Sequence, residues 1–136
     1  MQFIQNNLLI IGLILVSGAM LLWPTIDRMF FGRKQVDAQE AVLKMNHEDA
    51  VVLDVREDKE VALGRIPHAK HIPLGQLKNR LSELEKFKTK PVIVACRSGH
   101  RSSGACGILT QGGFADVYNL AGGMVAWEQA NLPVEK

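Results

Sequence analysis

Residues 8–23 (LLIIGLILVSGAMLLW) run for sixteen positions without a charge. As a helix they would extend about 24 Å, a little short of the about 30 Å apolar core of a bilayer. Reaching back to Phe3 makes up the length and places Gln5, Asn6 and Asn7 at headgroup level. The segment is apolar on nearly every face, so it lacks the polar side that a surface helix shows to water. The chain therefore divides into an apolar N-terminal segment and a remainder that must build its own core. Trp23 suits a membrane interface and Pro24 suits a helix end there. We expect a transmembrane anchor over 3–24, a juxtamembrane linker over 25–36 with Gly32 in it, and one domain over 37–136. Two other readings compete. Ser17-Gly18-Ala19 offers small residues for signal-peptide cleavage, but no Lys or Arg precedes the run and its hydrophobicity continues beyond them. A buried core helix is the third, and the rest of the chain can form a domain without it.

The flanks give an orientation. Arg28, Arg33 and Lys34 follow the span, opposed only by Asp27. The positive-inside rule then puts the domain in the cytoplasm, at a bacterial inner membrane, with lipid contacted through the helix. A net charge of +2 gives no reason to expect nucleic-acid binding. Two cysteines in 136 residues do not make a disulfide scaffold. Cys96 and Cys106 would lie at a strand end and inside the next helix, an awkward geometry for a bridge, so both read as thiols.

Within the domain, Pro91-Val92-Ile93-Val94-Ala95 reads as a buried parallel strand and is followed at once by Cys96-Arg97-Ser98-Gly99-His100-Arg101-Ser102. A helix is predicted over 102–110. A cysteine on a short turn between a strand's carboxyl end and a helix N-terminus sits where α/β folds place their chemistry, and both turn amides and helix dipole favour an anion there. A thiolate is such an anion. Elsewhere, Asp37 and Glu40 predict a capped helix to about 46, and 50–54 a strand. A helical turn is expected over 57–63, broken by Gly64-Arg65-Ile66-Pro67, and a short edge strand at His71-Ile72-Pro73. Leu77, Leu81 and Leu84 predict one helix over 76–87. Gly112-Gly113 ends the cysteine helix, 115–120 is a strand, Gly122-Gly123 a turn, and 124–130 the last helix. Alternating strands and helices predict an α/β domain with a parallel sheet.

Four motifs in order carry a family resemblance over 37–133. They are Leu53-Asp54-Val55-Arg56-Glu57, the stretch Gly64-Arg65-Ile66-Pro67-His68-Ala69-Lys70-His71-Ile72-Pro73, the cysteine loop, and Leu120-Ala121-Gly122-Gly123-Met124-Val125-Ala126-Trp127. The chain resembles a membrane-anchored single-domain rhodanese, a sulfurtransferase. The resemblance implies a three-layer α/β fold, a central parallel sheet flanked by helices, preceded here by the transmembrane helix. Arg65 and His68 stand where the family usually has His and Gly, and Val61 where it often has an aromatic residue. His at a position needing φ > 0 would be strained, though less than most residues.

The resemblance also implies a reaction. Cys96 takes a sulfane sulfur from thiosulfate or a persulfide donor, becomes a persulfide, and passes the sulfur to cyanide or a thiol acceptor, which can be a protein. No cofactor is implied. The amides from Arg97 through Ser102 would cradle the sulfur, Gly99 letting the backbone curl. Arg97 and Arg101 would add positive charge for the thiolate and an anionic donor. Ser98 and Ser102 would donate to the persulfide or simply cap the helix. Arg56 would bind substrate or form an ion pair with Glu57 or Glu60. Asp54 reads as a structural acceptor, Cys106 as core, and His100 as a solvated loop residue. His68, His71, His100 and Cys96 do not form a metal set, since no Cys-x-x-Cys pair exists. A phosphatase of the related loop type would need Cys-x5-Arg, and here Arg101 makes Cys-x4-Arg. A non-catalytic docking module at the membrane is the remaining alternative.

Overall fold

The structure, a computed structural model, describes residues 1–30 and 34–136, with 27–30 described by backbone alone. The chain forms two units, Met1–Gly32 and Arg33–Lys136. In the first, helix α1 (Gln2–Asn6) precedes helix α2 (Leu8–Phe30). The segment Leu8–Ile26 is long and apolar enough to span a membrane, and none of it is buried. The helix does not stop at Pro24, as expected, but runs through it. A proline removes one backbone donor, a loss that long apolar helices commonly accommodate. Arg33 and Gly32, and the side chains of Asp27 and Arg28, lie outside the described residues.

The second unit begins with strand β1 (Lys34–Val36), then helix α3 (Ala38–His47), strand β2 (Val51–Asp54), helix α4 (Asp58–Ala62) and strand β3 (Lys70–His71). Helix α5 (Leu74–Leu77), a 3-10 helix (Leu81–Phe87), strand β4 (Val92–Ala95), helix α6 (His100–Gln111), strand β5 (Val117–Leu120) and helix α7 (Gly123–Gln129) complete it. The five strands pair in the order β1-β5-β4-β2-β3, all parallel. Residues 34–36, expected as linker, therefore form an edge strand. Lys34 pairs with Asp116 at 3.4 Å and lies over the Tyr118 ring, so it is engaged within the domain.

The sheet is covered on both sides, as its apolar strands require. Successive side chains alternate between faces. Val92, Val94 and Cys96 join Leu53, Val55 and the α6 residues Ala105, Cys106 and Leu109 on one face. Ile93 and Ala95 join Ala38, Ala41, Met124 and Trp127 on the other. The result is three layers around a central parallel sheet.

Local signals explain most boundaries. Asp37 accepts the amide of Glu40 at 2.8 Å and starts α3. Glu57 and Glu60 form a reciprocal capping box on α4. The helix expected over 76–87 is instead broken into α5 and a 3-10 turn. Leu77 and Leu84 still reach the core, and a tighter helix delivers them there without one continuous axis. His68 does adopt a left-handed φ of 65°. Beside it Arg65 pairs antiparallel with Glu135.

Candidate active site

The β4 run ends by turning Cys96 toward the α6 side of the sheet. Its side chain is almost fully covered, with the residue 1% exposed. Over the next five residues the backbone curls around the sulfur. Gly99, at φ +94°, donates its amide to Sγ at 3.0 Å. Ser102 Oγ lies 3.3 Å from Sγ. Burial pushes the thiol up, but the Ser102 hydroxyl and the amides of Ser102, Ser98 and Gly99 together pull harder the other way. The thiol sits below its ordinary value.

The outer side of the loop is pinned by α7. The amides of Met124 and Val125, at the start of α7, donate to the carbonyls of Cys96 and Arg97 at 2.8 and 3.1 Å. With those carbonyls held outward, the loop's N–H groups are left to face the sulfur. Gly122 and Gly123 permit this approach, both at positive φ. A Cβ on Gly123 would lie 2.7 Å from the carbonyl carbon of Arg97.

The predicted cations separate into different roles. Arg97 is exposed and lines a small cleft with Arg56, Glu60, Leu63, Met124, Val125 and Glu128. At about 160 Å³ the cleft falls below the about 300–1,000 Å³ of drug-sized sites. Arg101 is gripped by Glu60, with Nη1 and Nη2 at 2.7 and 2.8 Å from the carboxylate. That fork, with help from the Glu57 amide, lowers the Glu60 carboxyl to about 2, against some burial that opposes it. Arg101 and Cys96 also attract. Arg56 is buried and bound to Asp54, its Nε at 3.0 Å and Nη2 at 2.7 Å, with Nη2 also donating to the Gly64 carbonyl at 2.7 Å. Its ion-pair partner is thus Asp54, not Glu57 or Glu60. Asp54 is a structural acceptor, as expected.

Ser98 and His100 are exposed on the loop, and Ser98 contributes its amide. Neither Ser98 nor Ser102 caps α6, whose N-cap is Gly99. Cys106 is buried in the core as predicted. Two residues were missed. Glu60 was considered only as a partner of Arg56, and nothing local links it to Arg101, 41 positions away. Asn119, on β5, accepts the Ser102 hydroxyl and donates to the Gly99 carbonyl at 3.1 Å. Its one sequence signal is a polar residue inside an apolar strand.

The rhodanese-like domain family matches residues 37–130. The chain belongs to that family. A relative named "Sulfurtransferase", from Allochromatium vinosum, is 41% identical over 87 residues, 64% of this chain and 79% of that protein. A "Thiosulfate sulfurtransferase GlpE" from Vibrio cholerae is 34% identical over 100 residues, 74% of this chain and 92% of that protein. Among solved structures, a rhodanese-related protein from Thermoplasma volcanium superposes with a TM-score of 0.67 at 30% identity, covering 75% of this chain and 97% of that one. Family membership therefore rests on sequence and on the rhodanese fold alike.

Proposed function

We propose that the protein is a sulfurtransferase working through a persulfide on Cys96. The observation that carries this is the set of N–H donors and the Ser102 hydroxyl gathered on a covered sulfur. Such a cradle stabilises a negative sulfur without consuming a side-chain cation on it. The Cys96 thiolate attacks the outer sulfur of thiosulfate or of a persulfide donor. A Cys96 S–S bond forms, the donor's S–S bond breaks, and sulfite or a thiolate leaves with the electron pair. An acceptor thiolate, or cyanide, then attacks the terminal sulfur and releases the Cys96 thiolate. Arg97 is exposed on the loop next to Cys96, where its charge would attract an anionic donor.

A phosphatase reading is less well supported, since Arg101 gives both terminal nitrogens to Glu60. The test is intact mass spectrometry of the protein after thiosulfate treatment. We expect a gain of one sulfur atom, removed by a reducing thiol and absent in Cys96→Ser. If neither thiosulfate nor a persulfide donor adds sulfur, the catalytic reading fails and a docking module takes its place.

We also propose that α2 anchors the chain in a membrane with the domain on the cytoplasmic side. The motivating observation is the charge asymmetry of Arg28 and Arg33 against an N-terminal flank without Lys or Arg. Labelling of Cys96 in intact cells by a membrane-impermeant thiol reagent would contradict that orientation.

A further inference from the structure

Asn119 is buried, 3% exposed, on the same face of β5 as the sulfur. The neighbouring Tyr118 turns to the opposite core. The Asn119 side chain bonds two residues, Gly99 and Ser102, and each of them also has an atom against the Cys96 sulfur. Its Nδ2 donates to the Gly99 carbonyl at 3.1 Å, and the Gly99 amide donates to Sγ. Its Oδ1 accepts from Ser102, whose oxygen lies 3.3 Å from Sγ. The amide cannot be reversed, because a carbonyl only accepts and so must face Nδ2. A second observation places the loop on this strand. A Cβ on Gly99 would lie 3.4 Å from the Leu120 carbonyl oxygen and the Gly122 amide. The loop thus lies against the end of β5 and is tied to it by one side chain.

We propose that Asn119 is the positioning residue of the Cys96 loop: its bond to the Gly99 carbonyl holds the backbone that places the Gly99 amide on the sulfur, and its Oδ1 fixes the Ser102 oxygen beside Sγ. This rests on the sulfur-transfer reading only in taking Cys96 as the reacting sulfur. Of the charged groups, Arg101 on α6, gripped by Glu60 on α4, interacts with that sulfur; Arg97 and His100 lie exposed on the loop itself, and Arg56 is bound to Asp54 at the end of β2. From β5 the only polar side chain on this face is Asn119.

The experiment follows alkylation of Cys96 against pH in the full chain in detergent, resolved from Cys106 by peptide mass spectrometry. Asn119→Ala should raise the ionisation midpoint by about one pH unit, because the Gly99 backbone is released and its amide no longer stays on the thiolate. Asn119→Asp should raise it further, since a carboxylate puts an oxygen against the Gly99 carbonyl and a charge near the sulfur. Adding Ser102→Ala to Asn119→Ala should shift the midpoint less than Ser102→Ala alone does. Folded variants with an unchanged midpoint would overturn the proposal. A lowered midpoint in Asn119→Ala would also overturn it, showing that Asn119 only competes for the Ser102 proton. If the alanine variant does not fold, the isosteric Asn119→Asp carries the same test. Failure of wild-type Cys96 to load sulfur would sink the functional reading and leave this comparison intact.

Discussion

Strands β2 and β4 are neighbours in register, Asp54 opposite Ala95. Each apolar run ends at a buried group that can carry negative charge. At the end of β2 the anion is Asp54, and the chain supplies its own cation. Arg56 binds it through Nε and Nη2 and reaches on to the Gly64 carbonyl. At the end of β4 the group is the Cys96 sulfur, held by amides and a hydroxyl. Arg101, the nearby cation, is tied to Glu60, and Arg97 remains exposed. Full ionic pairing makes a brace, because both charges are quenched where they sit. Dipoles lower the cost of a charge without neutralising it, so a thiolate held this way stays nucleophilic.

Three measurements would break or sharpen that contrast. The largest effect is expected at the brace. Asp54→Ala leaves the Arg56 guanidinium buried without its carboxylate and should cost about 3–5 kcal/mol in urea denaturation. A loss well under that would mean Arg56 can swing to solvent or ligand, and the two strand ends would be less different than drawn. Gly123→Ala comes next. Position 123 has φ +54° and abuts the Arg97 carbonyl, so a methyl group should cost roughly 2–4 kcal/mol in strain and displacement. Because that displacement falls on the loop, the pH midpoint of Cys96 alkylation should move with it. An unchanged midpoint and stability would show that α7 does not shape the cradle.

The smallest effect concerns Glu60, whose carboxyl is held down to about 2 when folded against an ordinary 4.5. Between those values the unfolded chain binds the extra proton, so stability rises with pH across that window. The contribution is fully present above about 4.5 and is lost as pH falls toward 2. Acid denaturation of Glu60→Gln should lack this component. An identical acid profile in both proteins would place the Arg101–Glu60 contact outside the energetics of the fold.

Much of the candidate site is legible in the sequence. The β-branched run before Cys96, the glycine at 99 and the flanking arginines are local signals, and a strand-turn-helix puts them together without help from distant chain. The left-handed backbone at His68 could likewise be anticipated, since the resembling motif has glycine there. The partners of the charges were not legible. Arg56 could have paired with Glu57, Glu60 or Asp54 on sequence distance alone. Burial decided for Asp54, two residues back at the end of β2, where both side chains are covered. Glu60 then faced Arg101 from another helix. The break within 76–87 was hidden for a related reason: leucines at helical spacing report which side faces the core, not whether one helix axis can serve them all.

By itself the sequence determined the division into an apolar helix and an α/β domain, the parallel sheet, and the cysteine loop at a strand end. Hydrophobic period, turn residues and steric rules act over a few residues and are written locally. Tertiary structure decided that residues 34–36 become an edge strand, that α7 pins the outer carbonyls of the loop, and that Asn119 lies behind the sulfur. These depend on which strands lie side by side. That order is set by packing two apolar faces of one sheet at once, a condition no local stretch of chain contains.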